Sequence, residues 1–422
     1  MFINKKNGTF AFFIMNIVLF DNTHREDLLP FTFTRPQADI RVGILTIREK
    51  WEKYLGCKTS TCTQAYLSQK YPMIMNEETV FISASVCPTE RLVEEIKKMS
   101  LGDTLKQKDT VIAHYLDDFP ARFDTYCGEN VIEFEENYTS IDYLWDIFSK
   151  NEQELFADFQ LLTKNRQSQP LSKTNNVISP ENIFLEEGAI VEFATINARD
   201  AKVYIGKNAE IMEGSLMRGS IAVCESSQVK MGAKIYGGTT IGPFSKVGGE
   251  LSNVVIFGYS NKAHDGFVGN SVLGEWCNLG ADTNTSNLKN NYDNVRLWNY
   301  KTKTFIKTNI QFCGLIMGDH SKSGINVMFN TGTVVGVSAN VFGAGYQRNF
   351  YPSFHWGGGT TPVQNFKLDA AIDVAKRVYA RRNKEFTDLD GQILYSVHNL
   401  TEEFRKIELY KKIKNFIVKK ER

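Results

Sequence analysis

His264 is the side chain of this sequence best suited to proton transfer, and it lies in the run Lys262-Ala263-His264-Asp265-Gly266. An imidazole titrates near neutrality, so it can act as a general base that takes a proton from an attacking nucleophile. The alternative is a structural histidine at a turn, because unusual environments also occur at structural positions. The sequence therefore predicts a candidate catalytic base at His264 and leaves the structural alternative open.

A six-residue period of apolar side chains surrounds this histidine and indicates the element that must hold it. The period appears in three series, of which the third is broken by Lys322 and Asn340: Ile205, Ile211, Met217; Val229, Ile235, Ile241, Val247; and Ile316, Lys322, Met328, Val334, Asn340. Small residues follow many of these positions four residues later, and glycine often follows directly.

A triangular coil of a parallel β-helix explains this period, because each of its three faces has about six residues and points one side chain into a narrow core. Glycine supplies the unusual backbone angles at the corners. The alternative is an antiparallel sandwich, but its strands would alternate with a period of two. The pattern therefore predicts an all-β parallel β-helix of hexapeptide repeats over residues 177–362.

Composition places the chain among ordinary soluble globular proteins. It has 422 residues, 42% hydrophobic and 23% charged, and a net charge of +1. That balance gives no electrostatic footprint for nucleic acid or an anionic membrane. None of the seven cysteines forms a C-x-x-C pair, so they read as free thiols of a cytoplasmic protein rather than a disulfide framework or a zinc site.

The N-terminus loosely imitates a signal peptide, because Lys5 and Lys6 precede an apolar run over residues 10–20. The run enters a polar stretch at Asp21 without a small-residue cleavage site. We therefore interpret residues 15–20 as a buried first strand and residues 1–14 as an extension or the product of an early start codon. No later stretch is apolar for long enough to span a bilayer.

Two further domains flank the predicted β-helix. Residues 15–166 alternate short apolar runs with amphipathic stretches, which predicts an α/β domain with a mostly parallel sheet. Residues 167–176 are polar and form the linker. Residues 363–422 form a helical tail, in which the basic cluster Lys376, Arg377, Arg381 and Arg382 is either a solvated face or a phosphate site.

A family resemblance rests on two runs, residues 262–269 and residues 277–287. They resemble the acetyltransferase site of the bifunctional glucosamine-1-phosphate acetyltransferase / N-acetylglucosamine-1-phosphate uridylyltransferase family, K-A-N-H-x-x-Y-x-G followed by N-I-G-A-G-T-x-x-x-N. A divergent branch of sugar nucleotidyltransferases is closer still, through L-P-F-T-x-T-R-P-x-A-D-x-R-x-G at residues 29–43 and G-D-H-S-K-x-G-I-N at residues 318–326. The resemblance implies a left-handed β-helix, homotrimers, and acetyl-CoA bound between neighbouring coils.

The resemblance also implies roles for individual residues. His264 aligns with the catalytic histidine, Arg218 with an arginine that grips the sugar phosphate, and Ala281 with backbone that meets the coenzyme thioester. The implied substrate-binding set is Arg218, Lys262, Asn278, Asn287 and Lys289, and the implied cofactor-binding set is Ala281, Asp319 and His320. Asparagine is common in turns, so a structural role for Asn278 and Asn287 stays open.

Departures from the family pattern concern the acyl acceptor. Ser252 stands where the family has a lysine, and Phe267 stands where it has the site tyrosine. Both changes remove contacts to a sugar phosphate, for which Lys289 is a candidate substitute. The interruption over residues 287–308 reads as a loop that leaves the β-helix, and loops of this kind often cover a site. His320 faces either the coenzyme groove or a corner hydrogen bond.

The first domain lacks the glycine-rich phosphate loop of related nucleotidyltransferases, because residues 19–25 contain no glycine. It also lacks their metal-binding aspartate after a central strand, so a metal site is unknown. The branch instead offers Arg25, Arg35, Asp39 and Arg41, which we predict to bind a nucleotide. The alternative is a structural ion-pair cluster.

The predicted function is acetyl-CoA-dependent N-acetyl transfer to an amino-sugar phosphate resembling glucosamine-1-phosphate. If the first domain is active, it would add Mg²⁺-dependent nucleotidyl transfer from a nucleoside triphosphate to a sugar 1-phosphate. The alternative is a catalytically degenerate first domain that binds a sugar nucleotide or acts as a scaffold on a trimeric β-helix. A further alternative, a β-helix that only trimerises, is also open. Neither nucleic acid nor membrane insertion is expected.

Overall fold

The computed structural model describes residues 16–120, 122–126 and 128–406. The predicted N-terminal extension, Cys127 and the end of the predicted helical tail lie outside these residues. The chain divides into two compact units, and the second unit contains residues 29–34, 41–44 and everything from residue 144 onward. No helix of the described residues is both long and apolar enough to cross a bilayer.

The first unit is built on a six-stranded mixed sheet with strand order β2-β1-β3-β5-β4-β6. Its strands are β1 (Asn16–Phe20), β2 (Ser60–Cys62), β3 (Thr79–Ser83), β4 (Asp103–Gln107), β5 (Thr110–Leu116) and β6 (Asn130–Glu133). β1 runs parallel to both β2 and β3, whereas β5 is antiparallel to β3 and β4. The carboxyl ends of β1, β2 and β3 therefore meet at one edge of the sheet.

The helices of the first unit follow ordinary terminal signals. They are α1 (Ile47–Leu55), α2 (Ala65–Ser68), α3 (Glu90–Lys98) and the 3-10 helices Arg25–Leu28 and Gln37–Asp39. Thr46 and Glu49 form a reciprocal capping box at the start of α1, and Gly56 ends the helix with a φ of 70°. Trp51 of α1 is fully buried and donates to the carbonyl of Val86 at 2.8 Å, which fixes the helix on the sheet.

The second unit is a parallel β-helix with three faces. The strands that lie wholly on its first face are β7 (Asn176–Ile178), β10 (Thr195–Asn197), β13 (Leu216–Arg218), β16 (Lys234–Tyr236), β22 (Asn284–Thr285) and β27 (Met328–Phe329). The second face has β8 (Ile183–Leu185), β11 (Val203–Ile205), β14 (Ile221–Val223), β17 (Thr239–Ile241), β25 (Leu315–Met317), β28 (Thr333–Val335) and β30 (Phe350–Tyr351). Two long strands, β19 (Glu250–Gly258) and β21 (Phe267–Glu275), cross from the first face to the second.

The third face carries short strands, one of which, β20, directly precedes the His264 corner. They are β9 (Ile190–Val191), β12 (Glu210–Ile211), β15 (Gln228–Val229), β18 (Lys246–Val247), β20 (Asn261–Lys262), β26 (Lys322–Ser323), β29 (Asn340–Val341) and β31 (His355–Gly358). Val203 pairs with Ile221, and Ile221 pairs with Thr239, so these coils are 18 residues long. Three faces of six residues confirm the predicted hexapeptide β-helix. The family resemblance implies that this β-helix is left-handed.

The apolar core of the β-helix corrects the phase of the third predicted series. The first two series do lie in the core, but Ile316, Lys322, Met328, Val334 and Asn340 point outward. The inward positions are one residue later, at Met317, Ser323, Phe329, Val335 and Val341. Lys322 and Asn340 therefore do not interrupt the core, because the residue after each of them is the one that faces inward.

The second unit takes two helices and two short segments from the N-terminal part of the chain. The helices are α4 (Leu144–Ser149) and α5 (Asn151–Thr163). Asn151 donates to the carbonyl of Gly238 at 2.8 Å and accepts from the backbone N–H of Gly43 at 2.7 Å. Thr240 donates to the carbonyl of Gly43 at 2.8 Å. The division thus falls earlier than the linker at residues 167–176 that the sequence indicates.

The β-helix is completed by a hairpin and a helical end. β23 (Arg296–Asn299) and β24 (Thr304–Lys307) form an antiparallel hairpin inside the predicted loop. Trp298 of this hairpin stacks on Phe350 with ring centroids 4.3 Å apart. β32 (Thr361–Asn365) pairs with β31, and α6 (Leu368–Ala380) and α7 (Asp388–Leu400) follow. The predicted C-terminal helices are confirmed.

Candidate functional site

His264 lies at the corner of residues 263–266, between β20 on the third face and β21 on the first. Its side chain is exposed and makes no hydrogen bond to the residues that the structure describes. Corner residues of a β-helix project from the coil, so this imidazole can approach a ligand from outside. The placement satisfies the first geometric requirement of a general base, which is access to the proton it would take.

Lys262 supports this corner from inside the coil. It occupies the inward register position beside Val247, and only 1% of the residue is exposed. Its ammonium donates to the carbonyls of His264 and Asp265, the latter at 2.9 Å. Burial lowers the pKa of Lys262 to about 8, although Asp265 and Asp282 act in the opposite direction. An ammonium in this position holds the corner and is not placed to contact substrate.

The corner of the next coil stacks directly on the His264 corner. The backbone N–H of Asp282 donates to the carbonyl of Asp265 at 3.1 Å, and the carbonyl of Ala281 accepts from Asn326 at 2.8 Å. Parallel coils lie about 4.8 Å apart. The structure therefore brings the predicted coenzyme-binding Ala281 next to the predicted base.

Asn287 and Phe267 meet over Gly269 on the first face. A Cβ atom added to Gly269 would lie 2.5 Å from Cζ of Phe267 and 2.7 Å from Nδ2 of Asn287. Asn287 also donates to Oδ1 of Asn270 at 2.8 Å. Glycine thus leaves room for an aromatic ring and a carboxamide side by side, immediately after the His264 corner.

Other predicted substrate-binding residues are not gathered at this corner. Arg218 is exposed on the first face, and its register through Tyr236 and Ser252 places it three coils, about 14 Å, from Gly269. Asn278 lies on the third face and bridges to Asn261 and Lys322. Asn278 and Asn287 therefore occupy different faces.

Lys289 makes a hydrogen bond within its own loop. Its ammonium donates to the carbonyl of Asn294 at 2.9 Å, inside the inserted loop. This hydrogen bond engages one of the three donors of the ammonium and ties Lys289 to its own loop.

Asp319 and His320 lie at a different corner, between the second and third faces. The carboxylate of Asp319 is buried and accepts from the N–H of Glu275 at 2.9 Å and from the hydroxyl of Thr34 at 2.7 Å. His320 is buried with a left-handed φ of 63°. Its ring is roughly parallel to those of Trp276 and Tyr379, with centroids 6.4 and 6.0 Å away. These contacts favour the corner role over contact with a coenzyme.

The predicted nucleotide-binding residues are engaged in separate buried contacts. Arg25 pairs with Asp21 at 3.1 Å, and Asp39 is held by Nε of Arg48 at 2.6 Å. Arg35 is buried in the first unit. Arg41 belongs to the second unit, where its guanidinium donates to the carbonyls of Ile44 and Phe257. This arrangement fits the structural ion-pair alternative better than a single phosphate cradle.

A polar network that sequence reasoning missed occupies the carboxyl edge of β1 and β3. The side-chain amide of Asn22 donates to the hydroxyls of Ser83 at 3.0 Å and Ser85 at 2.9 Å. The N–H of Gln37 donates to Asp21 at 2.7 Å. Burial raises the pKa of Asp21 above its ordinary value despite the neighbouring Arg25. Polar residues directly after two apolar strands were the signal available in the sequence.

Metal binding in this domain finds little support in the geometry. Among the described residues, no three histidine, cysteine, aspartate or glutamate side chains converge as metal ligands. Mg²⁺ prefers oxygen ligands in near-octahedral arrangement, usually with carboxylates. The oxygen atoms at the carboxyl edge of β1 and β3 already accept hydrogen bonds or ion pairs from protein groups. They therefore do not fit the Mg²⁺ ion that nucleotidyl transfer would need.

Comparison with known proteins finds a family match in the N-terminal part of the chain and curated relatives of similar sequence. Residues 17–167 match the family described as sugar nucleotidyl transferase. The bifunctional protein GlmU of Methanococcus maripaludis is 27% identical over 224 residues, which cover 50% of this chain and 45% of that protein. GlmU of Methanocaldococcus jannaschii is 37% identical over 87 residues, 21% of each chain.

The chain is thus similar in sequence to bifunctional GlmU proteins over up to half of its own length. It spans under half the length of the GlmU proteins that it matches. Among solved structures, the Arabidopsis UDP-N-acetylglucosamine acyltransferase is 15% identical and covers 52% of this chain and 78% of its own, with a TM-score of 0.23. The N-acyltransferase AntD of Bacillus cereus, a mutant solved with dTDP and coenzyme A, is 12% identical over 49% of this chain and 91% of its own, with a TM-score of 0.22.

Proposed function

We propose that this protein transfers an acetyl group from acetyl-CoA to the amino group of a sugar phosphate, with His264 as the general base. The observation that carries the proposal is the exposed His264 corner stacked on the Ala281 corner. The similarity to bifunctional GlmU proteins supports the reaction class.

The proposed step needs a base at the position of His264. The amino nitrogen of the acceptor attacks the thioester carbonyl, the new N–C bond forms, and the C–S bond breaks. The nitrogen gives its proton to the imidazole, which can pass it to the departing thiolate, so charge and protons balance. Lys262 would hold the corner in place during this transfer through its bonds to the carbonyls of His264 and Asp265.

The acceptor is proposed to differ from glucosamine-1-phosphate in how its phosphate is held. Phe267 lies over Gly269 where the family has a tyrosine, so this wall is apolar and offers no hydroxyl. Ser252 pairs with Gly269 in the next coil and offers only a short hydroxyl. Asn287 remains available beside the ring for a sugar hydroxyl.

Homotrimer formation is proposed from the distribution of exposed apolar side chains. Three of them lie at the same series of corners as His264, namely Phe193, Met231 and Ile325, exposed by 60%, 70% and 71%. Leu216, Tyr236 and Met328 are exposed on the adjoining first face. Large exposed apolar side chains repeated along one edge of a β-helix favour a protein interface there, and we call these six residues the apolar stripe. A second chain packed there would complete a site beside His264.

The deciding experiment measures acetyl-CoA consumption as free thiol, with glucosamine-1-phosphate and a panel of amino sugars and their nucleotide-linked forms. The variant His264→Ala is expected to lose at least 100-fold in kcat, since general-base catalysis contributes about 10²–10⁴-fold. His24→Ala, in the other unit, is the matched control. Unchanged turnover in His264→Ala would remove the base from this proposal.

The trimer proposal is tested separately by light scattering on a size-exclusion column. The double variant Met231→Glu, Ile325→Glu places charge on the stripe and should yield monomers. A wild-type protein that elutes as a monomer would contradict the assembly without touching the assignment of His264.

For the first domain, two functions remain proposals. The match to sugar nucleotidyl transferases favours nucleotidyl transfer. The internal hydrogen bonds of Asp21, Asn22 and Arg25 favour a domain that binds or scaffolds without turnover. Calorimetric titration with UTP and dTTP in Mg²⁺, followed by a pyrophosphate-release assay, separates them, since release of pyrophosphate would exclude the scaffold.

A further inference from the structure

A column of polar side chains runs along the third face, away from the apolar stripe. Lys246 pairs with Asn261, Asn261 bridges to Asn278, and Asn278 bridges to Lys322. All four are partly covered and point outward on successive coils. At about 4.8 Å per coil, Lys246 and Lys322 begin about 14 Å apart.

The end of α6 adds arginines to this column. Arg382 follows the last turn of the helix, and its guanidinium donates to Oδ1 of Asn261 at 3.0 Å. Tyr379 fixes this end of the helix by stacking on Trp276 with centroids 4.0 Å apart. Two arginines of the basic cluster therefore stand over Lys246 through contacts of the fold.

The cations at this place outnumber the acids. Burial together with Arg382, Lys230 and Arg381 lowers the pKa of Lys246, so these positive groups stand close enough to disfavour one another. Burial and Arg381 likewise lower the pKa of Arg382. Glu210 is the acid that acts on Lys246, but its carboxylate already accepts from Gln228 at 2.9 Å.

Salt bridges do not resolve this excess of charge. Within residues 16–120, 122–126 and 128–406, none of Lys246, Arg381 and Arg382 forms an ion pair with a carboxylate. Repulsion among partly buried cations costs free energy. A protein that keeps them together has a place where a bound anion would be stabilised.

The simplest alternative, a solvated basic helix face, accounts for the exposed members of the cluster. Lys376 and Arg377 on α6, and Arg381 after it, are exposed and fit that description. Lys246 and Arg382 do not, because they are partly covered and Arg382 is directed at Asn261. The two pairs carry the same charge on neighbouring parts of the chain, which makes the second a control for the first.

We propose that Lys246, Asn261 and Arg382 form a binding site for a phosphate monoester or diphosphate group. The guanidinium fork grips two phosphate oxygens, the ammonium contributes a point charge, and the carboxamide supplies a further donor. Asn261 lies three residues before His264 on the same coil, so the site binds the phosphorylated part of a ligand whose other end can reach that corner.

Two stacked aromatic rings lie beside the site. Phe244 and Tyr259 stack with centroids 5.0 Å apart and nearly parallel planes, and Lys384 lies over both rings. The phosphate can belong either to a sugar or sugar nucleotide or to the coenzyme. The site does not depend on acetyl transfer, so its test does not need turnover.

The test is calorimetric titration of the full-length protein with inorganic pyrophosphate at low ionic strength. The double variant Lys246→Met, Arg382→Gln is expected to weaken binding at least tenfold. The control Lys376→Met, Arg377→Gln removes the same two charges and is expected to leave affinity within twofold. A thermal melt of each variant verifies folding, and Arg382→Lys should retain part of the affinity.

Competition identifies the source of the phosphate. Displacement of pyrophosphate at lower concentrations by coenzyme A, or by 3′-dephospho-coenzyme A, which keeps the diphosphate, than by UDP or glucosamine-1-phosphate assigns the site to the coenzyme. The reverse order assigns it to the acceptor. The proposal is overturned if pyrophosphate does not bind the wild-type protein, or if both double variants lose affinity equally, since that result reports only net charge.

Discussion

The hydroxyl of Thr34 donates a hydrogen bond of 2.7 Å to the carboxylate of Asp319, although the two residues are 285 positions apart. Thr34 comes from the early motif of residues 29–43, and Asp319 comes from the late motif of residues 318–326. Nearby, the rings of Phe31 and Phe257 lie 4.9 Å apart. The start of the early motif, residues 29–34, and the late motif therefore meet in one contact within the second unit, which favours a structural role for both.

Removal of this hydrogen bond should destabilise the second unit. The variant Thr34→Val keeps the shape of the side chain and leaves a buried carboxylate with one acceptor unsatisfied, which costs about 1.5–3 kcal/mol. Urea denaturation followed by circular dichroism would measure the loss. Thr360→Val, at an exposed position, should change the free energy of unfolding by less than about 0.5 kcal/mol. Equal stability of Thr34→Val and wild type would show that solvent replaces the hydroxyl.

The sequence predicts the β-helix well because each coil repeats one local requirement, an inward apolar residue every six positions. It predicts the phase of the repeats poorly where outward residues are covered as well. Ile316 and Val334 point away from the core and are nevertheless fully buried. Two adjacent apolar residues then satisfy the same six-residue pattern, and only the register of the coils decides between them.

Only the part of the candidate site that depends on the repeat of the coils could be predicted from the sequence. His264 and Ala281 lie at stacked corners, so their alignment with a known motif carried over. Arg25, Asp39 and Arg41 are close in sequence, whereas each has a different partner in the fold. Charge spacing in a loop does not reveal which backbone carbonyl or carboxylate a side chain will meet.

Lys262 should give the protein a specific dependence of stability on pH. Its pKa is about 8 in the folded chain and about 10.4 in an unfolded one. Below pH 8 both states hold the proton, and between pH 8 and 10.4 the unfolded state binds more of it. Stability therefore rises with pH through this window, by the linkage relation. The rise is the contribution of Lys262 alone, since groups such as Cys277, whose pKa burial raises to about 12, act in the opposite direction from about pH 8.5 upward.

A difference measurement isolates the lysine from those groups. The free energy of unfolding of wild type minus that of Lys262→Met is expected to be larger at pH 9.5 than at pH 7.5. Urea denaturation of both proteins at the two pH values gives this difference. A difference that stays constant across the window would mean that the buried amine does not change protonation there.

Asn22 should contribute strongly to the stability of the first unit. Its amide bonds to Ser83 and Ser85 join the ends of β1 and β3, and Asn22→Ala would leave two buried hydroxyls without this donor. We expect a loss of about 2–3 kcal/mol, because buried unsatisfied groups cost about 1–3 kcal/mol each. Asn290→Ala, in the exposed loop, is the control. A gain of triphosphate binding in Asn22→Ala, with little loss of stability, would instead identify the network as a closed nucleotide site.

Gly269 should control the arrangement of Phe267 and Asn287 and therefore the acceptor. Its φ is not in the left-handed region, so alanine is tolerated by the backbone, but its Cβ would stand 2.5 Å from the phenylalanine ring. The ring and the carboxamide must then move apart. Gly269→Ala is expected to raise KM for the acceptor at least fivefold with a small change in melting temperature, because both neighbours are only partly buried.

A second substitution decides whether this effect is steric. In Gly269→Ala combined with Phe267→Ala, the ring that collides with the new methyl group is gone, so Asn287, whose Nδ2 would stand 2.7 Å from that methyl group, can shift into the vacated space. Steady-state kinetics should then show that adding Gly269→Ala to Phe267→Ala raises KM by less than Gly269→Ala raises it in the wild type. If the double variant is as impaired as the product of the two single effects, the substitutions act independently and the packing of Phe267 over Gly269 does not position Asn287.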